Sequence, residues 1–132
     1  MKLHPSMVDK ILYLCTNYGG HQNEKRLLAH LENIRMSTYV REVGIVLVDT
    51  SAYILERRAR NQPENDIVPM KLHSTALQKI LYLYNMYSGH SNESKMKGSI
   101  SALDFVPYQR NNTGETVLIT NEDYMRVLQG AS

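Results

Sequence analysis

The chain is written twice. Met1-Lys2-Leu3-His4 returns as Met70-Lys71-Leu72-His73, and Lys10-Ile11-Leu12-Tyr13-Leu14 returns as Lys79-Ile80-Leu81-Tyr82-Leu83. Tyr18, Gly20, His21, Asn23 and Glu24 return as Tyr87, Gly89, His90, Asn92 and Glu93, so that 14 of the first 24 positions are identical at an offset of 69. Chance matching does not reach that level: the chain is a tandem duplication, and any function read from one unit is a function used twice. Size then constrains the packing. A unit of about 65 residues alone buries only roughly 60% of its unfolded surface, so the two units are expected to pack on each other.

Within a unit, Ser6 and Thr75 stand three residues before Asp9 and Gln78. That is the spacing of a reciprocal cap at a helix start. The first helix is expected to run to Tyr18 or Tyr87, with Gly20 and Gly89 supplying the left-handed conformation that ends it. Its apolar residues, Met7, Val8, Ile11, Leu12, Leu14, Cys15 and Tyr18, cover more than one face, so it expects cover on two sides. Asn23 and Asn92 are N-cap residues for a second helix, with Glu24 and Glu93 at its positive end. Leu27, Leu31 and Ile34, matched by Met96, Ile100 and Leu103, give it one apolar stripe. The period then changes. Phe105 to Tyr108 and Thr116 to Ile119 flank the turn-rich Asn111-Asn112-Thr113-Gly114, which reads as a β-hairpin. In the first unit the matching hairpin turns near Gly44, and the apolar run Ile45 to Val48 predicts a strand covered on both faces. A third helix follows, capped by Asp49 or Thr120.

The expected architecture is α+β: two tandem helix-helix-β-hairpin-helix units packed with pseudo-two-fold symmetry. Residues 1–60 form the first unit, the polar segment 61–69 is a linker, and residues 70–132 form the second. No apolar run approaches a membrane span, and the first residues lack the apolar stretch of a signal peptide, so the expected compartment is the cytoplasm. A single cysteine, Cys15, excludes a disulfide within the chain.

Candidate sites divide by chemistry. His4, His21, His73 and His90 recur in pairs, but about 13 helical residues, roughly 20 Å, separate the two of one unit. Only cross-unit pairs, His4 with His90 and His21 with His73, would bring imidazoles together, and no carboxylate or thiol cluster completes them. They read as residues that enter and end helices, with no metal and no cofactor. Cys15 lies on the apolar face and is Tyr84 in the repeat, as suits a buried small side chain rather than a nucleophile. No phosphate loop, nucleophile elbow or zinc-binding helix occurs, and no enzyme is expected.

Helices followed by a hairpin share the outline of a winged helix. Nucleic-acid contacts would then fall on Lys25, Arg26, Lys95 and Lys97 of the second helices and on the cluster Arg57, Arg58 and Arg60. The stretch between the first helix and the hairpin has room for one helix, short of a full helix-turn-helix. A net charge of +2 is weak for a nucleic-acid binder. The arginine cluster also suits the negative end of the third helix.

Lys10 and Tyr13 share a helix face about 200° from Ile11. Their duplicates Lys79 and Tyr82 are unchanged, whereas outward positions of the second helix differ, as Lys25 to Ser94 and His30 to Ser99 show. That face is either where the first helix meets its duplicate or a doubled contact surface anchored by tyrosines. The sequence therefore reads as a small, non-enzymatic regulator, an inhibitor or adaptor, acting through a protein partner at Lys10, Tyr13, Lys79 and Tyr82. A DNA- or RNA-binding regulator is the alternative. Either a monomer with a pseudo-dimeric core or a homodimer is compatible with it.

Overall fold

The computed structural model describes every residue except Gly20, Val43, Ser88, Gly89, Asn111, Ala131 and Ser132; of His21, His90 and Gly130 only the backbone assignment is described. The expected helix-ending roles of Gly20 and Gly89, and part of the Asn111 turn, fall on those residues. The chain is a mixed α+β structure. In order it runs β1 (Lys2–Leu3), α1 (Pro5–Asn17), α2 (Glu24–Asn33), β2 (Met36–Arg41), β3 (Gly44–Asp49) and α3 (Thr50–Ala59). It continues with β4 (Lys71–Leu72), α4 (Ser74–Met86), α5 (Glu93–Ser101), β5 (Phe105–Gln109), β6 (Thr116–Thr120) and α6 (Asn121–Gly130). A single 3₁₀ turn precedes α2 and another precedes α5.

The caps of α1 and α4 differ from the expected pair. His4 and His73 hold the N-cap positions, and their Nδ1 atoms accept from the Ser6 and Thr75 amides at 3.1 and 3.2 Å. Pro5 explains this in the first unit: it is favoured at the first helical position and keeps the residue before it extended. His4 accordingly has ψ 148. The ring also meets the hydroxyl of Ser6 or Thr75 at 2.8 or 2.9 Å, so those hydroxyls serve the cap rather than form it. Asp49 does cap α3, accepting from the Ala52 amide at 3.3 Å, and Thr120 accepts from the Asp123 amide at the same distance.

Each hairpin gains a third strand that sequence period does not reveal. Two-residue β1 pairs parallel to β3, with Leu3 opposite Leu47, and β4 pairs parallel to β6, with Leu72 opposite Leu118. The sheets are thus ordered β1-β3-β2 and β4-β6-β5. The run Ile45 to Val48 is covered only at its end: Leu47 is buried, but Ile45 is 50% exposed. Val40, opposite Ile45 in the β2–β3 ladder, is exposed with it.

The sheets are tied at both edges. The Phe105 amide donates to the Met1 carbonyl at 2.7 Å, while Met36 and Met70 exchange both backbone bonds at 2.7 Å. Between them α1 packs on α5, and α2 on α4 and β4. Met7, Ile11, Leu31, Met36 and Leu47 join Ile80, Ile100, Phe105 and Leu118 in one core, each at 0% exposure. Each such side chain contributes roughly 1.5–3 kcal/mol of transfer free energy.

The outer helices α3 and α6 bury little themselves and lean on aromatic ladders. His4 meets Tyr39 edge-on at 6.0 Å and Tyr39 meets Tyr53 at 5.4 Å. The duplicate ladder runs from His73 to Tyr108 at 5.8 Å and on to Tyr124 at 6.2 Å. These edge-to-face contacts join helix cap, hairpin and outer helix in each half.

Candidate partner-binding face

The tyrosines sort themselves by packing. Of nine, four stand in the ladders, and Tyr18 stacks on His30 at 4.5 Å. Tyr84 and Tyr87 pack against the core cluster. Only Tyr13 and Tyr82 are exposed, at 63% and 60%. They hold duplicate positions on α1 and α4, on the side opposite Ile11 and Ile80, which are fully buried. The helical period that buries one face thus presents both rings to solvent. This excludes the face as the seam between α1 and α4: α1 meets α5 instead.

The neighbouring lysines are held in place. Lys10 Nζ lies 3.2 Å from Asp49 at the start of α3. Lys79 Nζ lies 3.0 Å from Glu122 and 4.0 Å from Asp123 at the start of α6. Both lysines therefore reach across to the first turn of the outer helix, where a carboxylate also suits the helix dipole. Asp49 and Glu122 were not singled out from sequence as lysine partners; acids at the start of a helix following a strand were the available signal. Beside Tyr82 a shallow groove of about 350 Å³ is lined by Ser74, Thr75, Gln78, Lys79 and Asp123. In the second half a half-buried lysine, an exposed ring and a groove thus lie side by side, while in the first half Tyr13 stands beside the exposed Lys10.

The basic candidates fare differently from one another. Arg57 donates to the Tyr53 hydroxyl and the Pro63 carbonyl, reaches Asp66 at 2.9 Å, and lies over the Tyr53 ring. Its hydrogen bonds hold the Asp66 carboxyl below its usual range. Arg58 pairs with Glu64 at 2.7 Å and Arg60 with Glu56 at 3.0 Å. Arg57 and Arg58 therefore clamp the segment after α3, while Arg60 pairs within the helix and, like Arg58, stays exposed; Asn61, with φ 54, makes the left-handed turn that brings that segment back. Lys97 pairs with Asp9 across α5 and α1 at 3.6 Å. Lys25, Arg26 and Lys95 remain exposed on α2 and α5.

Cys15 is 1% exposed and burial pushes its thiol up to about 12, so it is protonated at neutral pH. His4 and His73 act as caps. Burial first, then the Arg110 charge, lowers the pKa of His73, favouring the neutral ring whose Nδ1 accepts. The cross-unit pairs with His21 and His90 fall on side chains outside the described residues. No helix among the described residues is long and apolar enough to cross a membrane. The chain matches no protein-family model, no curated protein and no solved structure.

Proposed function

We propose that this chain is a small non-enzymatic regulatory binding protein that engages a protein partner through Lys10, Tyr13, Lys79 and Tyr82. One observation carries the reading: among nine tyrosines, the two left in solvent occupy duplicate positions, each beside an ion-paired lysine. Tyrosine supplies large contact area at low entropic cost, and a lysine stem already held by an acid loses little more freedom on binding.

The reading includes two units packed about a pseudo-two-fold axis. Its support is reciprocal contacts at the offset of 69: Met1 with Phe105 in one place, Met70 with Met36 in the other. The α1 on α5 and α4 on α2 packing exchanges in the same way. A partner meeting both copies of the face then gains from two linked contacts, each weak alone.

Capture from host lysate with the wild-type chain and with Tyr13→Ala/Tyr82→Ala is the test. Rings this exposed are surface positions, where substitution shifts stability by about 0.5 kcal/mol or less. Truncating a binding anchor weakens affinity by about 2 kcal/mol or more, roughly 30-fold. The proposal requires that the double variant melt like the wild type and lose its partner. Equal capture by both chains refutes it.

A second reading, nucleic-acid binding, rests on exposed Lys25, Arg26 and Lys95, which have no ion pair among the described residues. A shift assay across a salt series separates the two, since phosphate contacts weaken steeply with salt. Sub-micromolar, salt-sensitive binding that survives the tyrosine substitutions and fails in Lys25→Ala/Arg26→Ala/Lys95→Ala selects the second.

A further inference from the structure

The two places where the sheets meet are chemically unequal. Arg35 and Asp104 hold the same backbone position, each just before a hairpin. The Arg35 carbonyl accepts from the Thr50 amide at 2.8 Å, and the Asp104 carbonyl from the Asn121 amide at 3.0 Å. At the first seam the acid is matched by cationic and donor groups. Asp104 takes the Met1 amino group at 2.7 Å and the Asn121 side-chain amide at 2.9 Å. At the second seam the acid is replaced by arginine, which leaves positive charge where its duplicate supplies negative.

A recess of about 220 Å³ opens there, between the end of α2, β4 and the start of α4. Arg35, Lys71 and Arg110 line it together with Asn33, Ser74 and Glu32. Arg35 Nη1 donates to the Glu32 carbonyl at 2.9 Å, which fixes the guanidinium and leaves further N–H groups available. Lys71 has Glu115 at 3.2 Å. Arg35 and Arg110 have no ion pair among the described residues, and Glu32 is the one carboxylate lining the recess. Arg35 before β2, Lys71 in β4 and Arg110 just after β5 thus bring two guanidiniums and an ammonium to a volume whose lining also holds the Ser74 hydroxyl and the Asn33 amide as donors, with Glu32 as its acid.

We propose that this recess binds a phosphate-type oxyanion, which takes the place of the carboxylate that Asp104 provides at the duplicate seam. Arg35 and Arg110 donate to it as planar forks, and Lys71 contributes charge. The recess shares Ser74 with the groove beside Tyr82, but none of Lys10, Tyr13, Lys79 and Tyr82 lines it. Its ligand is either free phosphate or a small phosphate monoester, and both present the same group to these donors.

The test is titration of the full-length ¹⁵N-labelled chain with sodium phosphate, ionic strength held constant with sodium chloride. A second titration uses glycerol phosphate. Saturable amide shifts are expected around residues 33–35, 71–74 and 110 with at least one of the two ligands. Tighter binding of the monoester identifies a ligand larger than phosphate, and equal binding identifies the phosphate group alone. Arg35→Asp, which rebuilds the acid of the first seam, is expected to weaken binding at least about tenfold. Arg110→Gln, which removes charge without adding any, is expected to do the same, so that the reasoning does not rest on one variant's folding. No saturable shift at the recess with either ligand, or unchanged affinity in both variants, overturns the proposal.

Discussion

Phe105→Ala tests whether the two halves stand or fall together. Phe105 is the largest fully buried side chain and opens β5 where its amide holds the Met1 carbonyl. Truncating a buried phenylalanine costs about 3–5 kcal/mol in lost transfer energy and residual cavity. That is a large share of the 5–15 kcal/mol typical of a whole domain. At an m-value of about 2 kcal/mol/M for urea, the midpoint falls by roughly 2 M. Because Phe105 shares one cluster with Met7, Ile11 and Leu31, the fall should be felt equally by amides of α1 and β3, far from it in sequence. Urea unfolding followed by residue-resolved NMR measures both halves in one sample. Residues 1–66 expressed alone, lacking α5 and β5, should be molten, aggregated or dimeric. The shared-core reasoning fails if first-unit amides keep the wild-type midpoint in Phe105→Ala, or if the fragment is a monomer with a sharp two-state transition.

Two further outcomes follow from buried groups. Ser37 and Thr50 share a buried hydroxyl contact at 2.8 Å. Ser37→Ala should cost about 1–3 kcal/mol by stranding Thr50, and Ser37→Ala/Thr50→Val less than the sum of the single changes; additive melting shifts would show that the contact carries nothing. The Cys15 thiol is raised from an ordinary 9.0 to about 12. The unfolded chain therefore releases this proton first: the contribution to stability is full below pH 9 and is lost as pH rises toward 12. Wild type should lose more stability than Cys15→Ala between pH 8 and 10.5 in urea melts, and parallel pH profiles would refute it.

Much of the local structure was legible because it has a period or a cap. The apolar stripes placed α1, α2, α4 and α5; alternating and β-branched residues placed β5 and β6; Asp49 and Thr120 marked the starts of α3 and α6. What was not legible depends on partners distant in sequence. Two residues make no period, so β1 and β4 show only as part of a repeated tetrapeptide, and their strand character comes from β3 and β6. The side-chain chemistry of Arg57 and Arg58 likewise depends on Asp66 and Glu64, which meet them only because the chain turns back at Asn61. A helix wheel could put Tyr13 and Tyr82 opposite the core; it could not say whether that side met another helix or water.

The duplication makes such differences readable in a way a single unit would not, since the matched positions can be compared pair by pair. Where both copies do the same work they agree: His4 and His73 cap, Tyr39 and Tyr108 stack, Lys10 and Lys79 reach the start of the outer helix. Where backbone contacts persist while the side chain changes, packing cannot be the reason for the change. Arg35 against Asp104 is such a case, with equivalent carbonyl bonds and opposite charge. An inward-facing reversal would leave an unpaired charge in low dielectric and cost several kcal/mol; at the solvent-open recess it costs little and creates an attractive field for an anion. The identical face of α1 and α4 poses the converse question. Neither ring is buried, so core packing does not require tyrosine at both positions. On the proposed function a shared demand from outside the fold supplies that requirement, and the Tyr13→Ala/Tyr82→Ala chain is the one that removes it while leaving the core intact.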